Sequence, residues 1–320
     1  MAKIGDDIAL ASEILNNGGL VAMPTETVYG LAGNALNLDA VHGIFEAKQR
    51  PSFDPLIVHT NSLEKVEGLV AEIPQKAKLL ADAYWPGPLT LLLEKQPIIP
   101  DLVTSGLNTV AIRMPKHPVA LALLENLDFP LAAPSANPFG YVSPTTAEHV
   151  NNQLGEKIDY ILDGGECTVG IESTIVSFEN KVPKVLRLGG LSVEDIEEVV
   201  GPVEVAIHSS SKPSAPGMLK SHYAPSKTIV LFDDINLKDI TDFSEFGSLV
   251  FDQPYDFLPL ENQFVLSKSG DMAEAAKNLF SGLRILDQKP QIHTIITQFV
   301  PNEGLGRAIN DRIKRATVKS

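Results

Sequence analysis

The sequence predicts an α/β protein in two parts: a first domain on a mixed, twisted sheet, and a smaller Rossmann-like α/β domain behind it. Three observations point there. The chain has 320 residues, more than one ordinary domain uses and comfortable for two. Within residues 1–205, strand-like runs outnumber helical ones, and several follow one another with no helix between, unlike a regular doubly wound sheet. Residues 206–227 then turn to Ser, Pro and Gly with little apolar periodicity, the composition of a linker, before strands and helices alternate again over 228–320.

Taken in order, residues 5–17 place Ile8, Leu10, Ala11, Ile14 and Leu15 at helical spacing and stop at Gly18-Gly19. GLVAMPT and TVYGLAG read as strands, and residues 38–48 as a helix with Val41, Ile44 and Phe45 on one face. PLIVHT is a strand, and two short helical patterns lead to the WPGP break at 85–88. LTLLLEK, TVAIRMP and LAAPSAN follow as strands, with a helix over 117–126 between the last two. Thr145 and Glu148 have capping-box spacing for the next helix. YILDGG, STIVSF and KVLRLG are further strands, and Ser192 with Asp195 opens a helix. In the second domain TIVLFDD, SLVFDQ, FVLSKS and HTIITQF are strands, interleaved with helical patterns at 272–287 and 304–317.

Composition excludes several classes. Hydrophobic residues at 44% against 21% charged describe a globular chain, not a disordered one. No apolar run of about 18 residues exists to span a membrane, and two Asp stand where a secretory signal has its apolar stretch, so a cytoplasmic protein is expected. The single cysteine, Cys167, cannot close an intramolecular disulfide or build a thiolate zinc site, and in GGECTVG it reads as an incidental small residue. The net charge of −14 falls wholly on residues 1–205, which hold 13 Lys+Arg against 27 Asp+Glu. Such a field repels phosphate backbones, and no stable nucleic-acid contact is expected. Familiar catalytic motifs fail as well. PGMLKS lacks P-loop spacing, GLGRAIN lies too near the C-terminus to open a βαβ unit, and HExxH and GxSxG are absent.

What remains is three arginines in an acidic domain: Arg50, Arg113 and Arg187. Lys48 and Arg50 end a helix before Pro51, where cations suit the helix dipole without any further role. Arg113 and Arg187 are different, because each sits in an otherwise apolar strand and needs an anionic partner if buried. Small hydroxyl and amide residues lie at neighbouring strand ends: Thr25, Thr27, Ser135, Asn137, Ser143 and Ser173, with His59 closing PLIVHT. Singly these are turn, cap or structural residues. Pooled with the arginines they make a polar cleft for a small anionic ligand.

The strings GGLVAMPTETVYGLAGNA, AKQRPSFDPLIVH, WPGPLTLLLEK, TVAIRMPKHP, APSANPFGYVSPT, ILDGG, GIESTIVSF and VLRLGG resemble, in order and spacing, the YrdC-like family of threonylcarbamoyl-AMP synthases. The linker string SAPGMLKSHYAP and the α/β domain after it are similar to the family's long, two-domain form. The resemblance implies a YrdC-like catalytic domain over 1–205, a linker over 206–227 acting as an active-site lid, and a C-terminal domain over 228–320. It implies synthesis of L-threonylcarbamoyladenylate and pyrophosphate from L-threonine, bicarbonate and ATP. That product feeds N6-threonylcarbamoyl modification of tRNA adenosine 37 through a separate transferase complex. Mg²⁺ accompanies ATP, and no side-chain nucleophile is expected.

By the family's motifs Lys48, Arg50, Asp54, Thr109, Ser135, Asn137, Ser143, Arg187 and Tyr223 serve ATP. Thr27, His59, Arg113, the Ala133 backbone and Ser173 serve threonine. Asp54 departs from the family's usual Asn, which puts a carboxylate beside phosphates unless Mg²⁺ bridges them. In the linker, Pro216, Gly217 and Pro225 allow movement while Lys220, His222 and Tyr223 suit a nucleotide. The rival readings are a non-catalytic RNA-binding module, which the acidic charge opposes, and a hydrogenase-maturation carbamoyltransferase, whose zinc-finger-like segments one cysteine cannot supply.

Overall fold

The structure is a computed structural model that describes residues 1–179, 182–206, 215–218, 222–236, 240 and 242–318. Residues 207–214 and 219–221 of the linker, Lys220 among them, lie outside the described residues.

In the first unit the described strands are β1 (Lys3–Gly5), β2 (Val21–Met23), β3 (Gly30–Asn34), β4 (Ile57–His59), β5 (Leu89–Glu94) and β6 (Thr109–Arg113). They continue as β7 (Leu131–Ala132), β8 (Tyr160–Leu162), β9 (Thr174–Ser177), β10 (Lys184–Arg187) and β11 (Glu204–Val205). All belong to one sheet, in the order β1-β8-β2-β3-β7-β4-β6-β5-β9-β10-β11. Pairing is mixed: β4–β6 and β5–β9 run parallel, β5–β6 and β9–β10 antiparallel. The inner strands are largely apolar because both faces are covered. Val21, Ala22 and Met23 are each fully buried, as are Leu89 and Leu91.

The first unit's helices are α1 (Ile8–Asn16), α2 (Leu38–Lys48), α3 (Leu63–Glu67), α4 (Gln75–Tyr84), α5 (Asp101–Thr104), α6 (Pro118–Glu125), α7 (Ala147–Leu154) and α8 (Val193–Val200). Helix α2 is fixed at both ends. Asn37 accepts from the amides of Asp39 and Ala40, and Gln49 ends the helix in the left-handed region at φ 53°. That stop turns the chain so that Lys48 and Arg50 enter the interior. Helix α8 opens on the capping box of Ser192 and Asp195 that the sequence predicts.

The second unit has four described strands, β12 (Thr228–Leu231), β13 (Phe246–Val250), β14 (Gln263–Val265) and β15 (Thr294–Thr297), all parallel in the order β12-β15-β13-β14. Helices α9 (Met272–Gln288) and α10 (Gly306–Thr317) cover it. Helix α9 also faces the first unit: its buried Arg284 donates to the backbone carbonyls of Val142 and Ser143 and to the Gln153 side chain. Phe280 stacks on the linker's Tyr223 at 5.6 Å. The two units and the linker therefore share one continuous apolar core.

The differences from the sequence reading are local. Strands β1 and β11 and helix α5 are too short to show periodicity. Helix α1 starts at Ile8, capped by Asp7, because residues 3–5 are taken into the sheet by β8. Helix α7 is capped by Thr146, one residue beyond the predicted Thr145. The LAAPSAN strand leaves its ladder after Ala132, just ahead of Pro134. Among the described residues no helix is long and apolar enough to cross a membrane.

Candidate functional site

Register brings the functional side chains together. In the parallel pair β4–β6, His59 lies opposite Arg113. Across the antiparallel pair β5–β6, Arg113 lies opposite Thr90, and Thr90 in turn pairs with Ile175 of β9. Ile175 pairs with Arg187 of β10. Strand ends from five adjacent strands thus line up at one end of the sheet, with His59 beside Arg113 and Arg187 farther along the same row. Two close approaches shape the wall. A Cβ at Gly189 would stand 2.3 Å from the Glu172 carbonyl oxygen, so only glycine lets the LRLGG turn lie against GIEST. Gly217 of the linker sits at φ +79°, with the Arg187 side chain against it.

The cleft is lined by Thr25, Gly30, Arg50, Ile57, His59, Arg113, Ala133, Ser135, Glu172 and Arg187, and is closed by Pro216, Gly217, His222 and Tyr223. With the linker residues packed in, its free volume is only about 40 Å³, room for a few waters. Tyr223 is 1% exposed, adopts φ 65°, and its hydroxyl has no hydrogen-bond partner among the described residues.

The cations are buried, and Arg50 and Arg113 are ion-paired. Arg113 makes a 2.7 Å ion pair with Glu26 and donates to the Gly87 carbonyl at 3.3 Å. Arg50 pairs with Asp54 at 2.9 Å and donates to the carbonyls of Asp54 and Pro55 at 3.0 and 2.8 Å. Arg187 donates to the Ser173 carbonyl and hydroxyl, each at 3.0 Å. Burial pulls the affinities of Arg50, Lys48 and Arg187 for their protons downward. For Asp54, burial pushes the carboxyl upward against the opposing pull of Arg50 and Lys48. Burial, with Arg113 nearby, lowers His59 to about 3, so its imidazole is neutral at physiological pH. An anion bound here would relieve the cations' desolvation.

The expected site residues fall into three groups. Arg50, His59, Arg113, Ala133, Ser135, Arg187 and Tyr223 line the cleft. Lys48, Asp54, Asn137, Ser143, Ser173 and Thr27 are buried directly behind it. There Lys48 donates to the carbonyls of Ser135 and Asn137, Ser143 donates to Glu172, and the Thr27 hydroxyl meets Thr25 at 2.9 Å. Thr109 is set apart. It opens β6, four residues before Arg113, and lines a separate groove with Glu72, Asn108 and Phe178. At about 3.3 Å per residue that is roughly 13 Å from the Arg113 end. Asp54 has Arg50 as its nearest counter-charge, at 2.9 Å.

Sequence reasoning missed Glu26, Glu172 and Arg312. Glu26 is the anionic partner that a buried Arg113 required, and it lies between the two threonines already singled out. Glu172, in GIEST, is 5% exposed and receives both Ser143 and Arg312 of α10. Lone acids inside hydroxyl-rich strand ends were the available signal. Nothing local announced Arg312.

A mixed YrdC-like sheet whose strand ends gather three buried guanidiniums, closed by a linker from a second α/β unit, defines a two-domain protein that binds small anionic ligands. Residues 13–189 match the Sua5, YciO and YrdC family model described as telomere recombination, and 191–318 match the threonylcarbamoyl-AMP synthase C-terminal domain. The chain is 42% identical to the threonylcarbamoyl-AMP synthase of Pyrococcus abyssi, over 97% of this chain and 94% of that one. It is 40% identical to the Bacillus subtilis protein of the same name, over 97% and 92%. The crystal structure of P. abyssi Sua5 complexed with L-threonine superposes with a TM-score of 0.90 at 42% identity, covering 97% of this chain and 94% of that one. The chain belongs to the threonylcarbamoyl-AMP synthase family, in its two-domain form.

Proposed function

We propose that the protein makes L-threonylcarbamoyladenylate and pyrophosphate from L-threonine, bicarbonate and ATP, for N6-threonylcarbamoyl modification of tRNA adenosine 37. The observation that carries this is the cleft itself. Arg50, Arg113 and Arg187 converge on it, in a chain that aligns end to end with synthases, one of them solved with L-threonine.

The reaction suits a site made of charge and position. Threonine's neutral amine attacks bicarbonate and, with loss of water, leaves a carbamate. A carbamate oxygen attacks the α-phosphorus of ATP, and pyrophosphate departs with the electron pair of the broken P–O bond. No side chain becomes covalently attached, so no nucleophile is required. Arg113 takes the threonine carboxylate, with His59, Thr27, Ser173 and the Ala133 backbone around the rest. Arg50 and Arg187, backed by Lys48, Ser135, Asn137 and Ser143, take the triphosphate. Mg²⁺ arrives with ATP as part of that substrate; Asp54 is engaged by Arg50. Pro216, Gly217, His222 and Tyr223 must move to admit ATP and then cover it, which would shield a hydrolysable adenylate from water. The product passes to a separate tRNA threonylcarbamoyl transferase complex.

The test is pyrophosphate release from ATP with each co-substrate omitted in turn. Release should require both threonine and bicarbonate. Release that persists without either sinks this reading.

A further inference from the structure

Helix α10 sends one arginine back into the first unit. Arg312 is fully buried and reaches the cleft-lining Glu172 and Tyr223, and the backbone next to Arg187. Its Nε and Nη2 donate to one oxygen of Glu172 at 3.2 and 3.0 Å. Nη1 donates to the carbonyl of Leu188, the residue after Arg187. The guanidinium carbon lies 5.2 Å from the centroid of the Tyr223 ring. The other Glu172 oxygen accepts the Ser143 hydroxyl.

A buried ion pair is weak evidence for stability, since apolar residues of similar volume often serve as well. Docking of the two units is in any case supplied by Arg284 and by the apolar face around Phe280. What an apolar residue could not do is hold a carboxylate in the cleft wall while lying under an aromatic ring.

We propose that Arg312 is a positioning residue of the synthase site, through which the second unit holds Glu172, the Arg187 strand end and the Tyr223 ring in place for ATP. This rests on the function proposed above. Glu172 lines the same cleft as Arg50 and Arg187, so its charge, left unpaired, would repel a triphosphate. Arg312 pairs with it from helix α10 at 3.0 Å, and with Asp311 of its own helix at 3.5 Å. The Arg113–Glu26 pair stands apart from this network and receives no contact from Arg312 in the described structure.

The experiment uses full-length chains carrying Arg312→Met, Arg312→Lys, Glu172→Gln and the Arg312→Met/Glu172→Gln pair. Pyrophosphate release is followed with ATP and threonine varied separately. Arg312→Met should raise the KM for ATP about tenfold or more and leave that for threonine within about twofold. Lysine should recover part of the loss. Adding Glu172→Gln should recover ATP KM further, because the uncompensated carboxylate is gone. KM does not depend on how much of the preparation is folded, so a destabilised variant still reports. An unchanged ATP KM, an equal rise in both constants, or a double variant no better than Arg312→Met overturns the proposal. A wild-type chain without threonine-dependent release overturns the functional reading itself.

Discussion

Two of the cleft's arginines pair with acids at similar distances in different constructions. Arg50 and Asp54 are four residues apart, and the same turn supplies two further backbone acceptors to the guanidinium, at 3.0 and 2.8 Å. Arg113 reaches across the fold to Glu26, and its one backbone acceptor among the described residues, the Gly87 carbonyl, lies at 3.3 Å. A guanidinium has five N–H donors. The first is held by its own turn and offers its remaining donors to a ligand from a fixed position. The second sits on a strand anchored on both sides by β4 and β5, yet is sparsely bonded at its tip. Local satisfaction suits a group that must hold steady under a large polyanion. A rigid base with an under-satisfied tip suits capture of one carboxylate.

The largest effect expected from this contrast is at Arg113. Replacing it with alanine removes the carboxylate's partner and leaves Glu26 buried and unpaired, so threonine binding should weaken by about 2–4 kcal/mol. Calorimetry showing unchanged threonine affinity would remove Arg113 from the amino-acid end.

Asp54→Asn sharpens the other side. The neutral amide keeps an acceptor for Arg50 but loses the charge, so the free protein should be less stable by about 2 kcal/mol. The ATP-induced rise in melting temperature should grow, because phosphate then supplies the missing charge. Activity should keep the wild-type Mg²⁺ dependence. A shifted Mg²⁺ titration would return Asp54 to a metal-bridging role.

The smallest effect concerns His59, which faces Arg113 across the ladder. Its pKa is lowered by burial to about 3, whereas an unfolded histidine titrates near 6.5. Between those values the unfolded chain binds a proton that the native state does not, so this contribution to stability is present above about pH 6.5 and is lost as pH falls. In urea unfolding, the loss of stability between pH 7 and 5.5 should be about 1 kcal/mol smaller for His59→Gln than for the wild type. Equal losses would mean that His59 takes up a proton in the folded state.

How much of this was legible follows the range of each interaction. Helix α2 is legible to the residue because its apolar face and Pro51 stop are local. Arg113 and Arg187 stood out because a charge inside an apolar strand conflicts with its surroundings. The identity of their partners was not legible. Glu26 lies 87 residues from Arg113, and Arg312 lies 140 from Glu172, separations fixed only by sheet order and by docking of the second unit. Nor is the distance of Thr109 from the arginine cluster legible. It shares a strand with Arg113, but strand rise carries it to the far end.

The central claim is that the two arginines serve different substrates. It is tested most directly by titrating threonine and MgATP separately into Arg50→Ala and Arg113→Ala in a calorimeter. Arg113→Ala should lose threonine binding and keep ATP, and Arg50→Ala should lose ATP and keep threonine. If both variants lose the same ligand, or each loses both while remaining folded, the division of the cleft is wrong.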